Sequence, residues 1–73
     1  MNIQLIAKNA PSYKKDTARD KWFKAVMRHE GKSVNSFIKN ATKNPPALKK
    51  DGTAEAPNGW LNYFVREGVV KLA

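Results

Sequence analysis

Apolar residues recur along this chain with two different periods, and the changes of period divide it into five segments. Ile3, Leu5 and Ala7 fall on every second position of Asn2 to Ala7, the spacing of a short strand with one buried face. From Thr17 the spacing lengthens: Trp22, Phe23, Val26 and Met27 stand at i, i+1, i+4 and i+5, the stripe of an amphipathic helix. Val34, Phe37, Ile38 and Ala41 repeat a helical stripe at i, i+3, i+4 and i+7, and Trp60, Leu61, Phe64 and Val65 give a third. The β-branched run Val69 to Leu72 then returns to strand character, with Val70 and Leu72 inward. The order is strand, helix, helix, helix, strand. It predicts a mainly α (α+β) fold: a three-helix domain with a helix-turn-helix-like hairpin and a small sheet from the N- and C-terminal strands. The spacing leaves the pairing direction of the strands open.

Polar and breaker residues mark the ends. Thr17 can cap the first helix, with Asp20 in the position of a capping-box acid, and Gly31 can take the left-handed conformation of a C-cap. Ser33 caps the second helix, which stops before Asn44-Pro45-Pro46 because neither proline can donate to the ladder. Asn58 is the expected cap of a third helix over Gly59 to Glu67, with Gly68 as its C-cap. Lys8 to Lys15 reads as a loop, from which Tyr13 either folds back or stays exposed as a stacking ring. Residues 44 to 57 carry three prolines and the turn dipeptide Asp51-Gly52, and are expected to form a mobile loop anchored by Leu48.

Length and composition narrow the picture. Seventy-three residues make a single small basic domain, residues 1–73, and seven aromatic residues suffice for one core. With no cysteine there are no disulfides and no thiolate metal site, which points to a reducing compartment: the bacterial cytoplasm or nucleoid, or the host cytoplasm for a phage-encoded chain. No apolar run approaches the roughly 20 residues of a membrane span, and Met1 to Asn9 lacks the basic lead of a signal peptide. The net charge is +8, with fourteen lysines and arginines against six acids. A field of that sign attracts phosphate polyanions. Eleven lysines against three arginines favour contact with the phosphate backbone over the rigid fork that reads base edges.

Phe23 to Lys43 resembles the helix-turn-helix of DNA-binding domains, including winged-helix-like ones. Gly31 matches the turn glycine, Phe37 the inward hydrophobe six positions on, and Val26 an inward residue of the first helix. Glu30 and Lys32 are polar where the motif usually packs, and Met27 stands where it usually has a small residue. Gly31-Lys32-Ser33-Val34, Gly59-Trp60-Leu61 and Gly68-Val69-Val70 in this order are similar to short proteins of phage and prophage genomes, a resemblance that carries over no functional residues. The resemblance to helix-turn-helix domains implies that the second helix enters the major groove. Asn35, Ser36 and Lys39 would then reach bases or phosphates, and Lys32, Ser33 and the open amides of the helix start would hold a phosphate. Lys21, Lys24, Arg28 and Lys43 would line the backbone, and Lys49 and Lys50 would act as a wing.

No catalytic or metal site is expected. His29, the sole histidine, lies at a helix end and reads as a solvated surface residue, and the carboxylates show no paired or ligand spacing. The function expected is therefore that of a non-enzymatic, cofactor-free nucleic-acid-binding protein. Duplex DNA is the first partner and RNA the second, and a homodimer would be needed for sequence specificity. The alternative is a phage-type protein-binding module docking on an acidic host protein through the proline-containing loop.

Overall fold

The computed structural model describes residues 1–6 and 12–73. The expected strand end at Ala7 and the part of the first loop from Lys8 to Pro11 lie outside the described residues. The elements are β1 (Ile3–Leu5), α1 (Ala18–Arg28), α2 (Val34–Lys43), α3 (Pro57–Arg66) and β2 (Val70–Leu72). The described residues thus form three helices and a two-stranded sheet that pairs β1 with β2. The pairing is antiparallel, with Ile3 opposite Leu72, Gln4 opposite Lys71 and Leu5 opposite Val70.

β1 is bonded on both edges, and the parity of the residue decides to what. The even-numbered residues face β2 and its flanks: Asn2 exchanges backbone hydrogen bonds with Ala73, and the Ile6 amide donates to the Val69 carbonyl at 2.9 Å. The odd-numbered residues face the α1–α2 turn. The Ile3 amide donates to the Lys32 carbonyl at 2.9 Å, the Gly31 amide returns a bond to the Ile3 carbonyl at 2.8 Å, and the Val34 amide donates to the Met1 carbonyl at 2.8 Å. The Leu5 amide is taken by the Glu30 carboxylate at 3.1 Å. Gly31 makes this possible with φ +81°, a conformation that side-chain-bearing residues rarely adopt. The left-handed residue expected as a helix cap therefore sits beyond the end of α1, where His29 is the C-cap, and its amide serves the strand.

The caps follow the sequence at α1 and α2 and depart from it at α3. Thr17 Oγ1 accepts from the Asp20 amide at 3.2 Å, and Asp20 reaches back to the Asp16 amide at 3.3 Å. Ser33 Oγ accepts from the Ser36 amide at 3.1 Å. α3 begins two residues before the expected Gly59, with Pro57 in its first turn, because the fixed φ of proline suits the first helical position and its missing N–H is an orphan there in any case. Asn58 is inside the helix, and Ala56 occupies the cap position without a side-chain bond. At the other end Gly68 (φ +75°) lets the Val69 amide reach the Phe64 carbonyl at 3.2 Å, which closes α3 and turns the chain into β2.

The core is built from Ile3, Trp22, Phe23, Ala25, Val26, Phe37, Ala41, Leu61, Phe64, Val69 and Val70. Two stripes are rotated from the expected ones. In α1 Ala25 is buried and Met27 is 39% exposed; in α3 Trp60 and Tyr63 pack on the core while Val65 lies at the surface. The cause is the aromatic layer between the two helices. Trp22 stacks on Trp60 with centroids 6.1 Å apart, and Phe23 meets Phe64 edge-on at 5.3 Å, which turns these faces toward each other.

Residues 44–57 hold more structure than a featureless loop. Leu48 bridges Ala54, and the Lys49 amide donates to the Thr53 carbonyl at 2.8 Å around Gly52 (φ +85°). Asp51 Oδ1 accepts from the Thr53 amide at 3.0 Å and its hydroxyl at 2.6 Å, and these two bonds hold the Asp51 carboxyl below the usual carboxylate range. Leu48 is no anchor. It is 59% exposed, and Ala47 packs against the core instead.

Candidate nucleic-acid interface

Two helices each present a cationic strip. On α1 a step of about 100° per residue gathers Lys21, Lys24 and Arg28 into an arc of roughly 60° opposite Trp22, Phe23 and Val26. All three are exposed. On α2 Asn35, Ser36, Lys39 and Lys43 fall within roughly 100° of arc opposite Phe37 and Ala41. Of these only Ser36 is half-buried. Lys24 Nζ sits 3.2 Å from Asp20 Oδ2, an i,i+4 pair in the favourable acid-before-base order. Among the described residues it is the only ion pair.

The two helices come together to one side of the strips, with Arg28 the one strip residue at the junction. A hollow of 180 Å³ lies between Arg28 and His29 of α1 and Asn40 and Asn44 at the end of α2. His29 is not a solvated surface residue. It is half-buried, with Nδ1 2.7 Å from the Ala25 carbonyl and Nε2 3.0 Å from Asn40 Nδ2. Its edge packs on Phe37 at 5.4 Å. The Nδ1 bond closes the last turn of α1 and the Nε2 bond ties that turn to α2, and a lone histidine beside two charged residues gave no sign of the partner eleven positions away.

The start of α2 is occupied rather than open. The Val34 amide is held by Met1 and the Ser36 amide by Ser33, so two of the donors expected for a phosphate already have acceptors. The Ser33 hydroxyl also donates to Ser36 Oγ at 3.1 Å, so it is committed to the cap as both donor and acceptor. Lys32 remains exposed at the turn. Lys49 and Lys50 are exposed on the separate hairpin around residues 48–54.

A second cluster had no motif to announce it. Arg19, at the start of α1 and roughly 180° around the helix from Arg28, holds its Cζ 5.6 Å from the Tyr13 ring centroid and 5.5 Å from that of Tyr63. Tyr13 folds back, meeting Phe23 edge-on at 5.4 Å. Burial, then the neighbouring Tyr63 and Glu67, push its phenol above the ordinary tyrosine value, against the opposing pull of Arg19. Two hollows, of 290 and 390 Å³, flank Arg19 and Trp60. The Trp60 Nε1–H is buried with no acceptor among the described residues. The sequence signal was slight: an arginine whose own helix face carries no other cation, between tyrosines fifty residues apart.

Among the described residues no three His, Cys, Asp or Glu side chains gather as metal ligands, and no helix is long and apolar enough to cross a membrane. Compared with protein-family models, curated proteins and solved structures, the chain matches none.

Proposed function

We propose that this protein binds nucleic acid, duplex DNA first, by laying the cationic strips of α1 and α2 along the phosphate backbone. One observation carries the reading: every described lysine and arginine is exposed, and a single one of them is ion-paired. A net charge of +8 is then almost wholly available to a polyanion. Lys21, Arg28, Lys32, Lys39 and Lys43 make the phosphate contacts, with Lys24 held back by Asp20. The filled amides and the capped Ser33 hydroxyl at the start of α2 weigh against a phosphate held there, so Asn35 and the Ser36 O–H are left as the polar groups of that turn for a base edge. A helix-turn-helix mode of docking fits the buried Val26 and Phe37 on either side of Gly31, and two copies on adjacent half-sites would supply specificity.

The test is a titration into fluorescent duplex DNA, read by anisotropy at low and fourfold higher salt. Five phosphate contacts give a log–log salt slope of about −4.5 and weaken binding about 500-fold over that range. Absence of binding at low salt refutes the reading. The alternative, docking on an acidic protein, is favoured by Leu48, 59% exposed on the hairpin that bears Lys49 and Lys50. Material co-purifying from a lysate is lost on nuclease treatment under the first reading and kept under the second.

A further inference from the structure

Away from the lysine strips, the starts of α1 and α3 enclose the two hollows that share Arg19 and Trp60. We propose that this groove binds an unpaired nucleotide of a single-stranded nucleic acid, its base in the hollow beside Gly59 and its phosphate between Arg19 and Lys14. The inference deepens the nucleic-acid reading and rests on it for the source of the nucleotide.

Charge divides the groove into two unlike compartments. The 390 Å³ hollow is lined by Lys14 and Arg19 with no carboxylate, and a phosphate belongs there. The 290 Å³ hollow carries Glu55 beside Arg19 and is otherwise walled by Ala56, Gly59, Trp60 and Tyr63. An anion is repelled by Glu55, whereas a base amino group is accepted by it. Apolar walls with a few convergent polar groups, and a volume close to the roughly 300 Å³ lower end of ligand sites, fit one base. A paired base has no free face to offer this hollow, which selects a single strand over a duplex. An acidic peptide would fill the cationic compartment alone and meet Glu55 in the other.

Arg19 is prepared for the role. Two tyrosine rings hold its guanidinium within cation–π distance, and no described carboxylate neutralises it. Its planar fork is therefore positioned and uncommitted, the state in which arginine recognises phosphate in two-pronged fashion. Trp60 lines both hollows, and its buried Nε1–H lacks an acceptor among the described residues.

The test titrates a short single-stranded oligodeoxyadenylate, the matching duplex, and inorganic phosphate into the isotope-labelled protein. The two indole N–H resonances are read by NMR and affinity by anisotropy, with Trp60→Phe assigning the peak. The single strand is expected to shift the Trp60 resonance to saturation. Arg19→Ala is expected to weaken single-strand binding about tenfold or more, the scale of a lost charge-assisted contact, and to leave duplex affinity within about twofold of the parent. Arg19→Lys keeps the charge without the fork and falls between. Arg19 is exposed, so both variants should stay folded, with a melt lowered only by the loss of its two ring contacts. Lys39→Ala with Lys43→Ala should leave the Trp60 response intact. A shift that survives while duplex binding fails sinks the lysine-strip reading and upholds this one. A Trp60 resonance unmoved by saturating single strand overturns the proposal. So does an equal shift with inorganic phosphate, or an unchanged single-strand affinity in Arg19→Ala.

Discussion

Removing Lys39 and Lys43 together isolates the electrostatic part of the proposed interface. The two residues lie four apart on α2, point away from Phe37 and Ala41, and are exposed. Neither has an ion-pair partner among the described residues. Their replacement by alanine should leave the fold within about 0.5 kcal/mol of the parent, as for surface positions generally. Alanine's helix propensity and the loss of like-charge repulsion at i,i+4 act in the stabilising direction. If each lysine neutralises one phosphate, the log–log salt slope should become shallower by about 1.8. The ratio of parent to variant affinity then shrinks about twelvefold when salt rises fourfold, since both proteins converge as the ionic contribution fades. Anisotropy titrations of one duplex across a salt series measure both slopes. Lys24→Ala serves as an internal comparison, because Lys24 is already spent on Asp20 at 3.2 Å and should change the slope less. Parallel salt lines for parent and double variant would refute the placement of the phosphate contact on α2, whatever the absolute affinities.

Three further outcomes test the structural reasoning. Gly31→Ala meets no atom within 4 Å of its new Cβ, so its cost is the φ of +81° alone: about 1–2 kcal/mol, or a Tm lowered by roughly 4–16 °C in a thermal melt for a domain of this size. Ser33→Ala removes the α2 cap and should cost about 1 kcal/mol by denaturant titration while leaving duplex affinity unaltered, since its hydroxyl is already bonded within the protein. For Tyr13 the folded-state value is raised above 10.0, so the neutral phenol is the stabilised form. Stability is full below pH 10 and falls as pH climbs through the folded value, and chemical denaturation across that range should show the loss in the parent and a smaller one in Tyr13→Phe.

The local parts of this fold were legible and the relational parts were not. Thr17 and Ser33 announce their helices because a cap is a contract between residues three apart. The stripe residues Trp22, Phe23 and Val26, then Phe37, Leu61 and Phe64, are inside because periodicity alone places them on one face. Leu48, on no stripe, is exposed on the 48–54 hairpin, and Met27 and Val65 lie at the surface since which edge of a stripe is buried depends on the neighbouring helix. Here that neighbour contributes Trp60 and Tyr63. Asn58 carries the stronger capping signal in the sequence, but the fixed φ of Pro57 starts α3 two residues before Gly59 without a side-chain cap. The lysine strips could be read from helical spacing. The Arg19 groove could not, since it is assembled from Tyr13, α1 and α3, and no spacing rule links them.

The parity of β1 has a consequence for how its sequence tolerates change. Ile3 is fully buried and Gln4 is exposed, yet the backbone of each is committed to a different neighbour. Side-chain identity at Gln4 is therefore nearly free, whereas residue count is not. Insertion of one residue between Gln4 and Leu5 would put Gln4 in the buried slot of Ile3 and Ile3 in the exposed slot of Asn2, unless the strand gave up its bonds to the α1–α2 turn and to β2. The segment behaves as a two-sided key, whose spacing is under tighter constraint than its lettering, and a length-preserving library across it should yield far more folded variants than one that adds or removes a residue.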